Sequence, residues 1–378
     1  MVTEPIRKDL RMEVFADSKE LARAVGHVLK AVNGRDVSAL RLEASDGTLA
    51  VSATGSDRWS RSILPAETME PGVALVGAAR FDAVVRALPA GEIRVETDGE
   101  WVAAGSDGAR LRLRMLDPDM EGVVTPVTPP LPDVMHPVDT EKFARTADAV
   151  AGAIPTDPGM GVLRAIHLSV AGGRMTMEAT DRNLASRAGL DVAGMPDGEW
   201  LAPGEWLKAN ARNARRIGFT GRAVCVQSDT DTDLTPVLDG AYPRLDRLFS
   251  PEGEPVAVLD VDRPPMLAAA RMLKNVNFTS RQIVPIRVEP DDHGIRLTLV
   301  DADSNGVQHL DADVPGFAPF GVNADYLIDA LNTLAGEKAR VTLREGRNGY
   351  APIMIGAPDA DKDAPVHMVA PVRLGAAA

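Results

Sequence analysis

The side chains that could bind a metal ion lie mainly in two aspartate-rich segments, and neither has a complete ligand pattern. The segment Asp301-Ala302-Asp303-Ser304-Asn305-Gly306 matches the start of a calcium-binding EF-hand loop, but its twelfth position is Ala312, where a bidentate Glu is required. The second segment, Asp229-Thr230-Asp231-Thr232-Asp233, could attract a divalent ion, although an exposed loop is the simpler interpretation. The six histidines show no ligand spacing. We therefore expect no metal and no cofactor.

Candidate nucleophiles are equally scarce. Cys225 is the only cysteine, and its apolar neighbours Ala223, Val224 and Val226 are typical of a small buried core residue. A single cysteine excludes an internal disulfide framework and favours a reducing cytoplasm. The chain shows no P-loop, no nucleotide-binding glycine fingerprint after a strand, no Gly-x-Ser-x-Gly elbow and no His-Glu-x-x-His motif. An export signal and an apolar run of about 20 residues are also absent from the sequence. We expect a cytoplasmic protein that does not contact a membrane and is not an enzyme, with an enzyme of dispersed site residues as one alternative.

The charge balance leaves nucleic-acid binding open. The chain has 41 Lys and Arg against 54 Asp and Glu, which gives a formal net charge of −13. A uniformly acidic surface would repel DNA or RNA. A ligand meets only one face of a protein, however, so the position of the positive charges decides the question.

The sequence repeats itself three times at a spacing of about 120 residues. An Asp-led helix start occurs at Asp17, Asp139 and Asp262, where a carboxylate can accept hydrogen bonds from the first-turn amides. Alternating apolar residues surround three hairpin tips, at Asp46-Gly47, Gly172-Gly173 and Asp292-His293-Gly294. An aromatic residue follows near the start of a second helix in each repeat, at Phe81, Trp206 and Tyr326.

Each repeat therefore predicts the same α+β domain, with two helices packed on antiparallel sheet. The predicted domains cover residues 10–128, 135–253 and 257–374. Proline-rich connectors separate them, first between Pro126 and Pro137 and then at Pro251-Glu252-Gly253-Glu254-Pro255.

Three α+β repeats of this size resemble the bacterial DNA sliding clamps, the beta subunits of DNA polymerase III. Four segments carry the resemblance: Ala179-Thr180-Asp181-Arg182, Asp239-Gly240-Ala241-Tyr242-Pro243, Asn323-Ala324-Asp325-Tyr326-Leu327 and Pro371-Val372-Arg373-Leu374. The resemblance extends over residues 12–374. It implies a head-to-tail homodimeric ring that encircles double-stranded DNA without sequence preference. It also implies clamp-binding peptides as partners, from the polymerase III alpha subunit and from the clamp loader, so that DNA synthesis becomes processive.

In such a ring the helices line the central hole, so they should be basic although the chain is acidic. Six helical segments are predicted, at 18–32, 79–88, 140–153, 203–217, 264–275 and 323–336, and they hold 13 Lys and Arg against 7 Asp and Glu. The last segment has no basic residue, whereas the fourth has four. The candidate DNA-facing residues are Arg23, Lys30, Arg35, Arg80, Arg86, Arg145, Lys208, Arg212, Arg215, Arg216, Arg271 and Lys274.

The resemblance further implies an apolar peptide-binding groove between the second and third domains. Its expected walls are Leu163, Thr180, Arg182, Leu184, Pro243, Arg247, Leu248, Tyr326, Met368, Pro371, Val372 and Leu374. Two departures from the family pattern fall at this groove: a shorter loop at Arg182-Asn183 and the extension Gly375-Ala376-Ala377-Ala378. These departures, with a composition typical of a high-GC genome, suggest a divergent or paralogous member. The alternatives are thus a paralogue with an altered groove, phage-borne or conferring antibiotic tolerance, and a protein of this fold that binds partners without loading on DNA.

The resemblance also implies a ring interface between the first domain of one copy and the third domain of the other. Arg110, Leu111, Arg112 and Leu113 alternate in type along a predicted strand and would contact Met272 and Leu273, with Asp301, Asp303, Asp311 and Asp313 as acidic counterparts. A charged edge strand that prevents aggregation is the alternative explanation for this alternation.

Overall fold

A computed structural model describes residues 11–32, 37–106, 108–250, 252–276, 283–300, 305–346 and 349–374. Arg35, Asp301, Asp303 and the extension 375–378, all singled out above, lie outside these residues. Each statement below concerns the described residues only.

The helices begin where the sequence repeats predict. Asp17 accepts hydrogen bonds from the amides of Lys19 and Glu20, and Asp139 accepts one from the amide of Lys142. Asp262 occupies the third equivalent position, but its side chain makes no capping bond and instead pairs with Lys338 at 2.8 Å. The helices are α1 Ser18–Val28, α2 Ala78–Ala87, α3 Thr140–Ala151, α4 Gly204–Ala211, α5 Asp246–Phe249, α6 Arg263–Asn275 and α7 Ala324–Thr333, with 3-10 turns at Leu29–Ala31 and Pro158–Arg164.

The strands are numbered in chain order and fall into the three sequence repeats. The first repeat holds β1 Glu13–Asp17, β2 Val37–Ser45, β3 Thr48–Thr54, β4 Trp59–Pro65, β5 Glu67–Glu70, β6 Gly72–Gly77, β7 Glu92–Asp98, β8 Trp101–Ser106, β9 Ala109–Arg114 and β10 Val123–Val124. The second holds β11 His136–Pro137, β12 Ala165–Ala171, β13 Arg174–Thr180, β14 Leu184–Asp191, β15 Gly198–Pro203, β16 Arg216–Phe219, β17 Ala223–Gln227 and β18 Asp231–Pro236. The third holds β19 Ala257–Asp262, β20 Pro285–Asp291, β21 Gly294–Leu299, β22 Val307–Asp311, β23 Phe320–Asn323, β24 Lys338–Leu343, β25 Glu345–Gly346, β26 Gly349–Tyr350, β27 Ile353–Gly356 and β28 Val366–Val369.

Two large sheets each combine strands from two repeats. One runs β10-β2-β3-β4-β18-β17-β16-β11, with β6 beside β2, and it joins the first repeat to the second through antiparallel pairing of β4 with β18. The other runs β15-β12-β13-β14-β28-β27-β24-β19, and it joins the second repeat to the third through antiparallel pairing of β14 with β28. Two smaller sheets, β5-β1-β7-β8-β9 and β22-β21-β20-β23, each belong to one repeat, as does the short pair β25-β26.

These shared sheets explain why the contacts divide the chain into two compact units rather than at the repeat boundaries. Unit 1 contains residues up to 138 together with 213–237, and unit 2 contains 139–212 together with the residues from 238 onwards. The second repeat is divided because β16, β17 and β18 join the first repeat's sheet through β18, while β14 pairs with β28 of the third repeat. The three domains at 10–128, 135–253 and 257–374 remain a prediction from the sequence.

The predicted fourth helix, 203–217, is wrong at its C-terminal half. Helix α4 ends at Ala211, and Arg216 begins strand β16. The amide of Arg215 donates to the Gln227 carbonyl at 2.8 Å, and Ile217 pairs with Val226. The strand ladder with β17 therefore overrides the helical preference of this segment.

The hairpin tips are confirmed in two repeats and differ in the third. Asp46 and Gly47 both have positive φ, as do Gly172 and Gly173, which is what two-residue tips of this kind require. In the third repeat Gly294 lies in β21, paired with Asp291. Its missing side chain serves close packing, because a Cβ there would lie 2.1 Å from the Leu310 carbonyl oxygen of β22.

A buried histidine ties the second repeat to the third within unit 2. His367 on β28 has 1% exposure and lies between two hydroxyls: Nδ1 is 2.8 Å from Ser186 Oγ, and Nε2 is 2.7 Å from Thr333 Oγ1. Thr333 donates its own proton to the Ala330 carbonyl, so we infer that it accepts from Nε2–H and that Ser186 donates to Nδ1. A neutral ring satisfies both partners. Burial lowers the pKa of His367 from 6.5 to about 4.

We predict that His367→Gln reduces the acid sensitivity of folding. Because the pKa of His367 is depressed to about 4 in the folded protein, the unfolded chain binds more protons between that value and 6.5. The contribution of a neutral His367 is complete above pH 6.5 and is lost as the pH falls through this interval. Chemical denaturation should show the wild type losing up to about 3 kcal/mol more than the variant between neutral pH and about pH 4.

The exposed His293 provides the matched control, since His293→Gln should leave the pH profile unchanged. Parallel profiles for the wild type and His367→Gln would contradict this account of the buried ring.

Candidate functional site

The candidate DNA-facing residues of unit 1 differ in their exposure to solvent and in whether a carboxylate pairs with them. Lys30, Arg80, Arg215 and Arg216 are exposed, and Arg215 lies 3.5 Å from Asp229. Arg86 is also exposed, but both carboxylate oxygens of Asp82 accept from its Nε at 2.9 Å. This unit therefore offers exposed positive charge from helix α2 and from the β16 region.

Arg23 has a structural partner that the sequence did not reveal. Its Nη1 lies 3.2 Å from Asp231 on β18, a carboxylate that also accepts from the Ser62 hydroxyl at 2.5 Å. Burial opposes ionisation of Asp231, but the bond from Ser62 and the charges of His27 and Arg23 outweigh it and lower the pKa of this carboxyl. The Arg23 guanidinium therefore acts first as a counter-ion at the junction of β4 and β18.

Most candidate basic residues of unit 2 are paired with polar groups of the same unit. Arg145 lies 3.4 Å from Glu141, and Arg212 lies 3.5 Å from Asp148. Arg271 donates to the Asn332 side chain at 2.6 Å. Lys274 forms an ion pair with Asp325, and Lys208 is half-buried on α4.

The basic excess of the helices is smaller than the sequence segments suggested. With the observed bounds, the helices other than α5, together with the first 3-10 turn, hold 11 Lys and Arg and 7 Asp and Glu. Arg212, Arg215 and Arg216 fall outside α4, whereas Arg263 begins α6. The helices thus remain net basic within an acidic chain, by four charges rather than six.

The first part of the candidate peptide groove is a tight turn between β13 and β14. Asp181 Oδ1 accepts from the amides of Asn183 and Leu184 at 2.9 and 2.7 Å, and Thr180 Oγ1 accepts from the amide of Arg182 at 3.1 Å. These bonds hold Arg182 at φ +82°, a left-handed conformation that is uncommon for a residue other than glycine. The shortened loop noted in the sequence is therefore a specifically bonded turn.

Asp181 also connects this turn to the third repeat. Its Oδ2 accepts from the Tyr326 hydroxyl at 2.6 Å, so one carboxylate contacts both the turn and α7. Burial and the Asp181 carboxylate raise the pKa of Tyr326, which keeps its hydroxyl protonated as the donor. Sequence reasoning named Tyr326 and Thr180 but did not assign a role to Asp181, although the Ala179–Arg182 motif contains it.

An apolar cluster lies beside the turn on the β14–β28 pair. Ala185, Leu245 and Met368 form its buried part, with Tyr242, Leu248, Phe249 and Met354 packed around them. Leu163, Thr180 and Leu184 are also buried, while Pro243 and Arg247 are exposed at the edge. Tyr242 and Phe249 were not among the candidate groove residues. Tyr242 stacks on His167 with ring centroids 5.3 Å apart, and Arg187 lies over the Phe249 ring at 4.4 Å.

The remaining candidates, Pro371, Val372 and Leu374, line a separate open cavity of about 1240 Å³ in unit 2. Its opposite wall includes Phe317 and Phe320, and the Val372 amide donates to the Gly321 carbonyl at 2.8 Å. The Ala370 amide donates to the Asn183 carbonyl at 2.7 Å, which places the turn directly beside the start of this segment. The predicted groove is thus two adjacent apolar areas joined through Ala370 rather than one pocket.

The candidate interface strand β9 is an unpaired sheet edge in unit 1. Arg110, Arg112 and Arg114 form a ladder of ion pairs with Glu96, Asp98 and Glu100, at 2.5, 3.2 and 2.8 Å. Leu111 points outward with 38% exposure, whereas Leu113 packs against the core. Strand β9 therefore presents an apolar side chain at the end of its sheet, where it pairs with β8 on one side and with no other described strand on the other side.

Met272 and Leu273, the candidate interface residues in unit 2, differ in their exposure to solvent. Met272 is 41% exposed, but Leu273 is fully buried and packs toward Gly306. Leu273 is therefore part of its own core, because helix α6 turns it inward onto the β20–β22 sheet. Beside Met272's helix, edge strand β22 exposes Val307 and Asp311.

Three further observations concern membrane-spanning helices, metal ligands and the reactivity of Cys225. No helix within the described ranges is long and apolar enough to cross a membrane. Within the same ranges, no group of three or more His, Cys, Asp or Glu side chains is arranged to hold a metal ion. Burial, with Asp233 nearby, raises the pKa of Cys225 to about 12, so this thiol is a poor nucleophile.

Comparison with known proteins gives consistent results. Residues 12–120 match the family model described as DNA polymerase III beta subunit, N-terminal domain. The chain is 24% identical to the beta sliding clamp of Streptomyces coelicolor over 96% of its own length and all of that protein. It is also 24% identical to a beta sliding clamp homolog, GriR, of Streptomyces muensis, with coverage of 96% and 99%.

Solved structures share the whole fold. The DNA polymerase sliding clamp from Bacillus subtilis superposes with a TM-score of 0.86 at 20% identity, covering 97% of this chain and all of that one. The beta sliding clamp of C. crescentus gives a TM-score of 0.84 at 21% identity, covering 96% and 99%. The first repeat is thus matched by the N-terminal domain of this family, and the full length of the chain is similar in sequence and in fold to bacterial beta sliding clamps.

Proposed function

We propose that the protein is a DNA sliding clamp: two copies close into a ring around duplex DNA and tether replicative and repair polymerases for processive synthesis. It acts in the cytoplasm and has no catalytic residues of its own. Its partners are sequence-independent double-stranded DNA, the DNA polymerase III alpha subunit and the clamp loader. The observation that carries this proposal is the way in which strands join one repeat to the next.

Each junction within the chain uses strands at the same position of the repeat. The edge strand that follows the first hairpin, β4 in the first repeat and β14 in the second, pairs with the last strand of the next repeat, β18 and β28. The equivalent strand of the third repeat is β22, and the last strand of the first repeat's smaller sheet is β9. Both are unpaired edges of their sheets within the described chain.

A second copy supplies the missing partner for each edge. If β22 of one copy pairs with β9 of the other, the third junction repeats the first two, and two copies leave neither edge open. Such a contact is heterologous, with different surfaces on its two sides, and it gives a ring when the rotation closes. The exposed side chains suit it, because Leu111 and the Arg ladder of β9 would meet Val307 and Asp311 of β22.

A closed ring needs little affinity for DNA, because topology alone retains it. Exposed Arg80 and Arg216 offer phosphate contacts without base recognition, and the modest helical excess of positive charge fits a surface on which DNA slides. The acidic remainder of the chain would repel DNA from other faces.

We predict that the protein, once loaded by a bacterial clamp loader, stays on a nicked circular plasmid during gel filtration. Cutting the circle should release it, because a ring slides off a free end. Retention that persists after linearisation would mean ordinary DNA binding, and no retention in the presence of an active loader would contradict the proposal.

The bonded turn predicts the behaviour of the peptide site. Asp181→Ala removes the acceptor for the amides of Asn183 and Leu184 and for the Tyr326 hydroxyl, so the turn loses two backbone bonds and its side-chain bond to α7. We expect a consensus clamp-binding peptide to bind about tenfold more weakly, which corresponds to roughly 1.4 kcal/mol. Fluorescence anisotropy with a labelled peptide measures this change.

Asp197→Ala is the matched control, because Asp197 accepts from the Gly172 amide at 2.9 Å at the other end of the same sheet. It should bind the peptide as the wild type does. Equal affinity for Asp181→Ala and the control would exclude a role for the Asp181 turn in peptide binding.

A further inference from the structure

Helix α7 is the one predicted DNA-facing helix that carries acidic residues and no basic one. Asp325 and Asp329 are spaced by one helical turn, so they share a face of the helix. On the neighbouring helix α6, Lys274 forms an ion pair with Asp325, and both side chains are less than half exposed, at 44% and 38%. Helices α6 and α7 pack directly against each other.

Asp329 lies in a setting that disfavours its charge. A Cβ added to Gly152 would be 3.1 Å from Asp329 Oδ2, which places the carboxylate against the C-terminal end of α3. That end of a helix carries partial negative charge. Burial first, and then the neighbouring Asp325, raise the pKa of Asp329, while Lys274 and Lys208 oppose this shift.

Lys274 of α6 and Asp325 of α7 therefore form a neutral group, and Asp329 lies one turn further along α7. A lysine that left this group for a phosphate would leave a poorly hydrated carboxylate without its counter-charge. A group with no net charge also releases no net counter-ions from DNA.

We propose that Asp325 of α7 acts as the counter-ion of Lys274, so that this lysine stabilises the packing of α6 against α7 and does not contribute to DNA binding. This inference rests on the proposed clamp function, which sets DNA as the ligand of the helical surface. It assigns the phosphate contacts to exposed basic residues without such a partner, of which Arg80 is the clearest in the described chain. Asp325 is then a residue that limits DNA affinity.

The test is a double-mutant cycle of Asp325→Asn and Lys274→Gln, read as the dependence of DNA affinity on salt. The full-length dimer is titrated onto a short labelled duplex over a series of KCl concentrations. Each phosphate contact adds about 0.9 to the slope of log affinity against log salt. Lys274→Gln alone should leave the slope unchanged, whereas Arg80→Gln should lower it by about 1.

Releasing Lys274 should have the opposite effect. Asp325→Asn should steepen the slope by about 1 and tighten binding at low salt, and adding Lys274→Gln should reverse both changes. Asp191→Asn is the matched control, because it removes a carboxylate 3.7 Å from Lys362, outside the helices, and should leave the slope unchanged. Thermal melts of each variant identify any loss of folding, and the Lys274→Gln measurement stands even if Asp325→Asn fails to fold.

The outcomes separate this inference from the clamp proposal. If the wild type is retained on circular DNA but Lys274→Gln lowers the salt slope as Arg80→Gln does, the inference is overturned and the clamp function stands. If the wild type is not retained on circular DNA, the clamp function itself fails.

Discussion

Strand pairing between successive repeats is the constraint on which the rest of the structure depends. A sheet edge exposes unpaired amide and carbonyl groups, which form a template for pairing with a further strand. Here β4 is covered by β18 and β14 by β28, so each of these edges is completed by the following repeat. The proposed pairing of β22 with β9 of a second copy applies the same arrangement to the remaining junction.

The functional surfaces follow from these junctions. The β14–β28 pair brings the Thr180–Leu184 turn beside Met368 and Ala370, which creates the apolar area proposed for partner peptides. The same pair buries His367 between Ser186 and Thr333, so polar groups specify how the second and third repeats meet. At the β4–β18 pair, Asp231 is the buried polar group that corresponds to His367. It is bonded to Arg23 and Ser62, so this junction is ionic, whereas the one at His367 is neutral.

Local patterns in the sequence predicted the repeated elements well. Asp17 and Asp139 cap their helices, and Asp46-Gly47 and Gly172-Gly173 form hairpin tips, because each of these features depends on neighbours within a few residues. Features set by distant residues were missed. Arg216 joins a strand because Gln227 and Pro137 pair with it, and Arg23 is neutralised by a carboxylate 208 positions away.

In the candidate sites, too, the sequence predicted local features and missed those that depend on distant residues. The family motifs located the turn at Thr180 and the segment at Pro371, but they could not show that these belong to two adjacent apolar areas, nor that Asp181 joins the turn to Tyr326. The family resemblance named Met272 and Leu273 together, although Met272 is exposed and Leu273 is buried, because burial depends on how α6 lies on its sheet. The sign of the net helical charge was predicted correctly, whereas the ion pair between Lys274 and Asp325 of α7 could be recognised only from the packed helices.

The most direct test of the ring is crosslinking between β9 and β22. Leu111→Cys and Val307→Cys place thiols at two exposed positions, 38% and 45% accessible, and the buried Cys225 should not react because its pKa is about 12. With a short bifunctional maleimide, the double variant should give a covalent dimer and no larger species, while each single variant should remain monomeric on a denaturing gel. A ladder of higher species would indicate an open filament, a dimer from either single variant would indicate like-to-like contact, and either result, or the absence of any crosslink, would contradict the closed head-to-tail ring.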